Sequence, residues 1–233
     1  MSMACDISII ITAHREKLLA ATAVRSAVAA MAHAEEHQIQ CEMIFVLDRA
    51  DDLTRDTLAA ANVPNARTIE VDLGDPGLAR NMGLSEARAP YACFLDADDL
   101  WSENWLTEAH RFVAQRPDAI LHPACNVFFN SSGLRKLRWH PDSESALCDP
   151  NYLEWGNYWT ALAFAKTEIL QSFPFRANDL SLGFGHEDWH WCKATLDAGI
   201  AHKPVPETIH FIRIRNGSQS DLVNATGGLT WPL

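Results

Sequence analysis

Three aspartates that follow an apolar run are the residues of this chain best suited to chemistry. The run covers residues 91–95 and is followed by Asp96, Asp98 and Asp99. Because an unpaired carboxylate is costly to bury, we expect these acids at the carboxyl end of a buried strand. Side chains alternate along a strand, so Asp96 and Asp98 are expected to point the same way and to share Mg²⁺ or Mn²⁺ with substrate phosphates. A solvated strand end before a helix cap is the alternative.

A second acidic pair, Glu187 and Asp188, lies in the segment HEDWH. His186, Glu187 and His190 satisfy the HExxH pattern, in which two histidines bind zinc and the glutamate acts as a base. Two glycines stand just before the motif, so we expect His186 to precede the helix instead of lying within it. Asp188 would also add an unpaired charge to a buried zinc site. A zinc peptidase is therefore the weaker interpretation, and acids that complement a helix dipole are a further alternative.

The first half of the chain alternates strands with helices. Strands are predicted over residues 6–12, 41–48, 66–71 and 91–96, with helical segments between them. This alternation with short links predicts an α/β fold with a doubly wound, mostly parallel sheet flanked by helices. Because the carboxyl ends of parallel strands meet at one edge, Thr12, Asp48 and Asp96 are expected to face one crevice.

The second half is less regular but continues without a linker. Strands are predicted over residues 119–129, 161–165 and 208–215, and helices over 102–115 and from about 187 to Gly199. Glycine is the usual residue just past a helix end. We therefore expect one domain over residues 1–233.

Composition excludes several classes of protein. Lys and Arg number 19 against 30 Asp and Glu, and this balance argues against nucleic acid as a partner because phosphate binding needs a basic surface. Six scattered cysteines without a CxxC pair predict a reduced, cytoplasmic protein. No apolar run is long enough to predict a transmembrane segment.

The segment GLARNMGLSEARAPYACFLDADD, together with Thr12, Asp48 and the HED triplet, resembles the family 2 glycosyltransferases of the GT-A fold. The resemblance covers residues 6 to about 220. It implies transfer of a sugar from a nucleotide-diphospho-sugar donor to an acceptor hydroxyl, usually with inversion, and a Mn²⁺ or Mg²⁺ cofactor. The acceptor would be a carbohydrate or lipid-linked, and the protein cytoplasmic or peripheral to a membrane. Residues 1–101 would form the nucleotide-sugar-binding half and residues 102–233 the acceptor half.

The resemblance implies roles for five residues on the donor side. Thr12, Glu16 and Asp48 match residues that hold the base and the ribose. Arg80, in the ARN triplet, matches a residue that approaches the donor, and Asp96 would contact ribose or metal.

On the metal and acceptor side, the resemblance implies that Asp98 binds the metal that bridges the diphosphate. Asp188 would be the general base, with Glu187 positioning it or binding the acceptor. His210 matches a third protein ligand of the metal, although a strand histidine that is hydrogen-bonded in the interior of the protein is an equal alternative. An arginine that often follows the acids is absent, because Ala194 stands near its place.

Two further groups have weaker assignments. Trp189 is a candidate acceptor platform, because Trp faces stack on sugars. The segment RIRNGSQS resembles one that folds over the diphosphate, and its polar residues are Arg213, Arg215, Ser218 and Ser220.

Two other classes remain as alternatives. A nucleotidyltransferase normally needs a glycine-rich loop after the first strand, and TAHREK contains no glycine. A non-catalytic nucleotide- or sugar-binding module would carry the same donor residues without turnover.

Overall fold

A computed structural model describes residues 5–215, 218, 223–226 and 228–232 of the chain. The first half contains four strands and three helices: β1 (Ile7–Ala13), α1 (Leu19–Glu36), β2 (Cys41–Asp48), α2 (Asp52–Ala60), β3 (Ala66–Val71), α3 (Pro76–Ser85) and β4 (Tyr91–Asp96). The strands are parallel in the order β3-β2-β1-β4. Thr12 is level with both Val46 and Asp96 in the register, so the ends of these strands lie along one edge.

The second half completes a mixed sheet. Its elements are β5 (Leu100–Trp101), α4 (Trp105–Val113), β6 (Ile120–Asn130), β7 (Gly133–Trp139), a short 3-10 helix (Pro150–Glu154), β8 (Phe164–Lys166), α5 (Thr167–Ser172), α6 (Glu187–Asp197) and β9 (His202–Arg213). Within the described residues the full order is β3-β2-β1-β4-β8-β6-β9-β5, with β7 on β6. Because β8 is antiparallel to both β4 and β6, β4 and β6 run in the same direction.

Two apolar layers cover the faces of this sheet. One contains the alanine stripe of α1, including Ala23, Ala27 and Ala30, and residues of α4. Alanines at helical spacing favour the helix and let it pack closely on the strands. The other layer contains residues of α3, α5 and α6. The predicted α/β fold, with helices on both faces of a mixed sheet, is confirmed.

Helix α3 lies unusually close to the sheet because of a glycine. A Cβ at Gly83 would lie 2.4 Å from the Ile10 side chain and 2.8 Å from that of Val46. At its other end, the Asp75 carboxylate caps the helix by accepting the Leu78 N–H at 2.9 Å. The cap fixes the first turn of α3 and the close approach at Gly83 fixes its last turn, and Arg80 lies between them.

Two further observations concern cysteines and membranes. All six cysteines are free thiols. In the part of the chain that the structure describes, no helix combines the length and the apolar character needed to cross a bilayer.

Candidate active site

Arg80 joins the carboxyl end of β4 to the start of α6. Its guanidinium donates to both Asp96 oxygens, at 2.7 and 2.9 Å, and to Glu187 Oε1 at 3.0 Å. The arginine is only 4% exposed. Burial disfavours its charge, yet the carboxylates of Asp96 and Glu187 outweigh this effect and raise the pKa of Arg80 above its ordinary value. Residues 107 positions apart in the chain are therefore held in one ion-pair network.

Thr12 and Asp96 meet across the neighbouring strands β1 and β4. The Thr12 hydroxyl donates to Asp96 Oδ1 at 3.0 Å. The Asp96 side chain remains 34% exposed, so part of the carboxylate is accessible to solvent. The structure thus brings together Thr12, Arg80, Asp96 and Glu187.

Two residues that the sequence analysis missed complete this network. The Asn178 amide nitrogen donates to Asp75 Oδ2 at 3.0 Å and to Glu187 Oε2 at 3.2 Å. The Asn178 backbone N–H also donates to Asp75 at 2.8 Å. For Asn178 the signal in the sequence is the polar segment between Phe175 and the HED triplet, which predicts a loop without specifying a partner. Asn178 therefore links the cap of α3 to the start of α6.

Asp48 has a structural role at the same edge. Its carboxylate accepts the backbone N–H groups of Leu73, Gly74 and Asp75 at 2.8, 2.9 and 3.0 Å. The residue is buried. Asp48 therefore holds the loop that leads into α3, and most of its acceptor capacity is used by the protein itself.

Asp98 does not lie on the strand with Asp96. β4 ends at Asp96, and the Asp99 N–H donates back to the Asp96 carbonyl at 3.0 Å, which closes a turn. The alternation expected for a continuous strand consequently does not apply to Asp98. Its Oδ2 lies 2.8 Å from Arg215 Nε, and another nitrogen of Arg215 donates to Glu16 Oε1 at 3.0 Å.

The two aspartates of this turn, Asp98 and Asp99, have raised pKa values. Burial is the largest effect, and together with the charges of Asp96 and Glu16 it raises the pKa of Asp98 to about 6, against the lowering effect of Arg215. Burial also raises the pKa of Asp99 well above its ordinary value. Asp99 accepts the Arg213 N–H at 2.7 Å, and Arg213 Nε donates to the Asp98 carbonyl at 3.0 Å. A cationic strand end, the end of β9, therefore lies against a cluster of acids.

The carboxylate oxygens of this turn suit a hard divalent cation that takes its remaining ligands from molecules other than the protein. Within the described residues, no three or more His, Cys, Asp or Glu side chains are grouped so as to hold a metal. Mg²⁺-type sites commonly use one or two carboxylates and take their remaining ligands from water and substrate phosphates. Asp98 fits this requirement, since its carboxylate already attracts a cation, the Arg215 guanidinium.

His210 lies in an aromatic interior. Its ring centroid is 4.5 Å from that of Trp105 and 5.9 Å from that of Trp101. The residue is fully buried, and neither ring nitrogen has a hydrogen-bond partner among the described residues. Burial holds the pKa of His210 well below its ordinary value. This packing matches the interior alternative, although the histidine is not hydrogen-bonded as that alternative would suggest.

Asp188 follows Glu187 in the first turn of α6. Burial, followed by the neighbouring Glu187 charge, raises the pKa of Asp188 to about 7, and Arg80 partly offsets this rise. Its Oδ1 accepts the Trp189 N–H at 2.7 Å. A carboxyl group that titrates near neutral pH can accept a proton from a hydroxyl group.

The HExxH arrangement is not formed. His186 has φ +56° and caps α6 from outside, as expected from the preceding glycines. The Nδ1 atom of His190 lies 3.2 Å from the Trp231 carbonyl oxygen, and Glu187 is bound to Arg80. His190 and Glu187 thus have separate partners, and His186 lies outside the helix.

Trp189, Ser218 and Ser220 are the last of the residues that the sequence predicted for the site. The Trp189 Nε1 donates to the Leu153 carbonyl at 2.8 Å, so its half-buried ring ties α6 to the 3-10 helix. Ser218 is half-buried, and Ser220 lies outside the described residues.

The architecture is that of the GT-A glycosyltransferases. The structure of TarS from S. aureus with UDP-GlcNAc is similar with a TM-score of 0.67 at 18% identity, covering 93% of this chain and 60% of that chain. The mannosyltransferase PcManGT from Pyrobaculum calidifontis, with GDP-Man and Mn²⁺, has a TM-score of 0.65 at 14% identity, covering 94% and 60%. The chain therefore spans about 60% of the length of these solved proteins.

The sequence model named glycosyl transferase family 2 matches residues 8–178. The chain belongs to this family, and the resemblance seen in the sequence is confirmed. The matched region includes Thr12, Arg80, Asp96 and Asp98 and ends before Glu187. Comparison with curated protein sequences gives no match.

Proposed function

We propose that this protein is a metal-dependent, inverting glycosyltransferase that uses a nucleotide-diphospho-sugar donor and a carbohydrate or lipid-linked acceptor. The observation that carries the proposal is the Arg80 network, because it joins Asp96, at the carboxyl end of β4, to the acidic start of α6. Membership of family 2 supports it. The similar structures bind UDP-GlcNAc or GDP-Man with Mn²⁺, which supports the donor class and the cofactor.

In this proposal the crevice at the strand ends binds the donor. Thr12, Glu16 and Asp96 lie along the nucleoside side, and Asp48 shapes the adjoining loop through its three backbone contacts. Asp98 would hold Mn²⁺ or Mg²⁺, which would supply positive charge to the leaving diphosphate. His210 is not included as a ligand, because its ring is enclosed by tryptophans. Residues 1–101 would form the donor half and residues 102–233 the acceptor half of one domain.

Asp188 is the proposed general base. Its carboxylate takes the proton of the acceptor hydroxyl while that oxygen forms a bond to the anomeric carbon. The bond from this carbon to the diphosphate oxygen breaks on the opposite side, and its electron pair leaves with the nucleoside diphosphate. Glu187 would position Asp188, and its charge adds to the effect of burial, which is the main cause of the raised pKa of Asp188. Trp189 would be the acceptor platform, because the bond from its Nε1–H to Leu153 lies in the ring plane and leaves the ring face for stacking.

The test compares two carboxylate variants. A thermal-shift screen with UDP-, GDP-, CDP- and dTDP-sugars and Mn²⁺ selects the donor, and release of nucleoside diphosphate then measures turnover. Asp188→Asn should lower kcat by about 10²–10⁴-fold with donor affinity unchanged, as expected for loss of a general base. Asp98→Ala should lower the Mn²⁺-dependent affinity for the nucleotide.

Asp52→Asn is the matched control, because that side chain is fully exposed at the start of α2. It should change neither quantity. Wild-type turnover in Asp188→Asn would refute the assignment of the base. Tight donor binding with no turnover in the wild type would instead favour the non-catalytic binding module.

A further inference from the structure

The guanidinium of Arg138 is a half-buried cation that the protein itself does not use. Arg138 lies on β7, and among the described residues its guanidinium forms neither a hydrogen bond nor a salt bridge. It packs on the ring of Phe128, whose centroid lies 5.3 Å from Arg138 Cζ. An arginine carries five N–H donors in a planar fork that matches a phosphate or a carboxylate. These donors are therefore free for a ligand.

A second cation lies on the same face of β7. The strand register pairs Asn126 with Arg138 and Phe128 with Lys136. Because side chains alternate along a strand, Lys136 and Arg138 point the same way. Lys136 Nζ lies 4.4 Å from the ring centroid of Phe128, and in the part of the chain that the structure describes this exposed lysine has no acidic partner. Two unpaired cations thus adjoin one ring in a protein with 30 acidic and 19 basic residues.

Contacts at the end of β7 connect this face to α6. His140 continues the alternation of the strand, and its ring packs edge-on against that of His122 with the centroids 5.5 Å apart. His122 Nε2 lies 2.9 Å from Nδ1 of His202, and Nε2 of His202 lies 2.9 Å from the Thr195 hydroxyl. Thr195 belongs to α6, the helix that begins with the proposed base. The two cations therefore lie on the side of the sheet that carries α6.

Arg138 acts electrostatically on Asp188. Burial is the largest effect on the pKa of Asp188 and raises it, whereas the charge of Arg138 lowers it. At Asp98 the cations that oppose the effect of burial are Arg215 and Arg213. No hydrogen bond or ion pair joins Arg138 to Asp188 within the described residues, so the two groups interact across a gap. Arg138 is thus associated with the proposed base and not with the proposed metal site.

We propose that Arg138, assisted by Lys136, binds a negatively charged group of the acceptor, either a phosphate or a carboxylate. This inference rests on the proposed function, in which Asp188 takes the proton of the acceptor hydroxyl. A protein of formal charge −11 repels an anionic acceptor, and the ionised Asp188 repels it at close range. A local cation offsets this repulsion. The fork of Arg138 also fixes the orientation of the anion while the hydroxyl group reaches the base.

An anionic acceptor also makes Asp188 a stronger base. The anion cancels the charge of Arg138, which otherwise lowers the pKa of Asp188. A neutral acceptor leaves that charge in place. Recognition of the acceptor and activation of its hydroxyl group are therefore coupled through one arginine.

Calorimetry with a phosphate probe tests the site without depending on turnover. Glycerol 3-phosphate and glycerol are titrated into the full chain, both alone and after saturation with Mn²⁺ and the nucleoside diphosphate of the selected donor. Only glycerol 3-phosphate should bind, and saturation of the donor site should not displace it. Arg138→Gln should weaken its binding by about 10- to 100-fold, as expected for loss of a charge-assisted, hydrogen-bonded pair.

Three further variants define the contribution of each cation. Arg138→Lys keeps the charge but loses the fork, so its affinity should lie between those of the wild type and Arg138→Gln. Lys136→Gln should weaken binding by only about two- to fivefold, because Lys136 is exposed. Arg25→Gln is the control, since it removes an exposed cation from α1 and should leave the affinity unchanged. Circular dichroism confirms that each variant is folded.

Turnover separates this inference from the proposed function. Hydrolysis of the donor by water, measured as release of nucleoside diphosphate, shows whether the protein activates the donor at all. In Arg138→Gln the rise of this rate with pH should move to higher pH, because the cation that lowers the pKa of Asp188 is lost. Arg138→Lys should keep the wild-type profile. A protein that releases no nucleoside diphosphate contradicts the proposed function, and the phosphate titration still decides whether Arg138 binds an anion.

Three results would overturn the inference. One is a wild-type protein that binds glycerol 3-phosphate no better than glycerol. Another is an affinity that Arg138→Gln leaves unchanged, which would mean that the guanidinium only packs on Phe128. The third is loss of glycerol 3-phosphate binding once the nucleoside diphosphate is bound, which would assign Arg138 to the donor.

Discussion

Replacing Arg80 with methionine should destabilise the protein by about 3–5 kcal/mol, the range for removing one partner of a buried ion pair. The arginine is 4% exposed, and the Glu187 side chain that it contacts at 3.0 Å is 9% exposed. Loss of the guanidinium leaves this carboxylate desolvated, with Asn178 as its remaining partner. The Asp96 side chain is 34% exposed and can be hydrated. Loss of its contact with Arg80 should therefore account for about 1 kcal/mol or less of the lost stability.

Urea unfolding at neutral pH, followed by far-UV circular dichroism, measures this cost. Arg80→Lys keeps the charge but loses the planar fork that reaches two carboxylates, so it should cost about 1.5–3 kcal/mol. Arg88→Met is the control, because Arg88 is exposed, and it should change stability by less than about 0.5 kcal/mol. A cost below about 1 kcal/mol for Arg80→Met, as for an exposed pair, would refute the reasoning.

Four other predictions concern the neighbouring acids. Because the pKa of Asp188 is raised to about 7, kcat should rise with pH through that value, and Glu187→Gln should move the rise to lower pH in a pH–rate profile. Between the ordinary value of 3.8 and about 7, the folded state holds a proton that the unfolded state has released. Stability should thus fall as pH rises through this window, and urea titrations of Asp188→Asn should show a smaller fall. Arg215→Gln removes the cation that lies 2.8 Å from Asp98 and that would compete with Mn²⁺ for its carboxylate. Calorimetry without the sugar donor should therefore show tighter Mn²⁺ binding, and an unchanged affinity would contradict this competition. Asp48→Ala leaves three N–H groups without their acceptor and should cost about 3 kcal/mol in urea unfolding, whereas a cost near zero would mean that water replaces the carboxylate.

The first half of the fold could be predicted closely from sequence because its signals are local. The third strand, predicted over residues 66–71, is Ala66–Val71, and the apolar runs that form β1, β2 and β4 end where polar residues begin. Buried parallel strands need such continuous runs, so their number and order follow from the alternation of patterns.

The second half was predicted less accurately because its strands depend on their neighbours. The last strand, expected over residues 208–215, is His202–Arg213 and includes Pro204 and Pro206. Prolines argue against a strand in local patterns, yet pairing with β6 and a register shift accommodate them here. The strand expected over residues 161–165 is the shorter Phe164–Lys166.

The sequence by itself determined which residue types stand at the strand ends and at the start of α6, and it identified the family. Only the tertiary structure decided which of these residues meet. Arg80 contacts Glu187 across 107 positions, Asp48 is occupied by the backbone of the next loop, and His210 is enclosed by tryptophans. Apolar periodicity acts over a few residues and is visible in one chain segment. The partner of a charge depends on distances between segments, and these exist only once the sheet and its helices have packed.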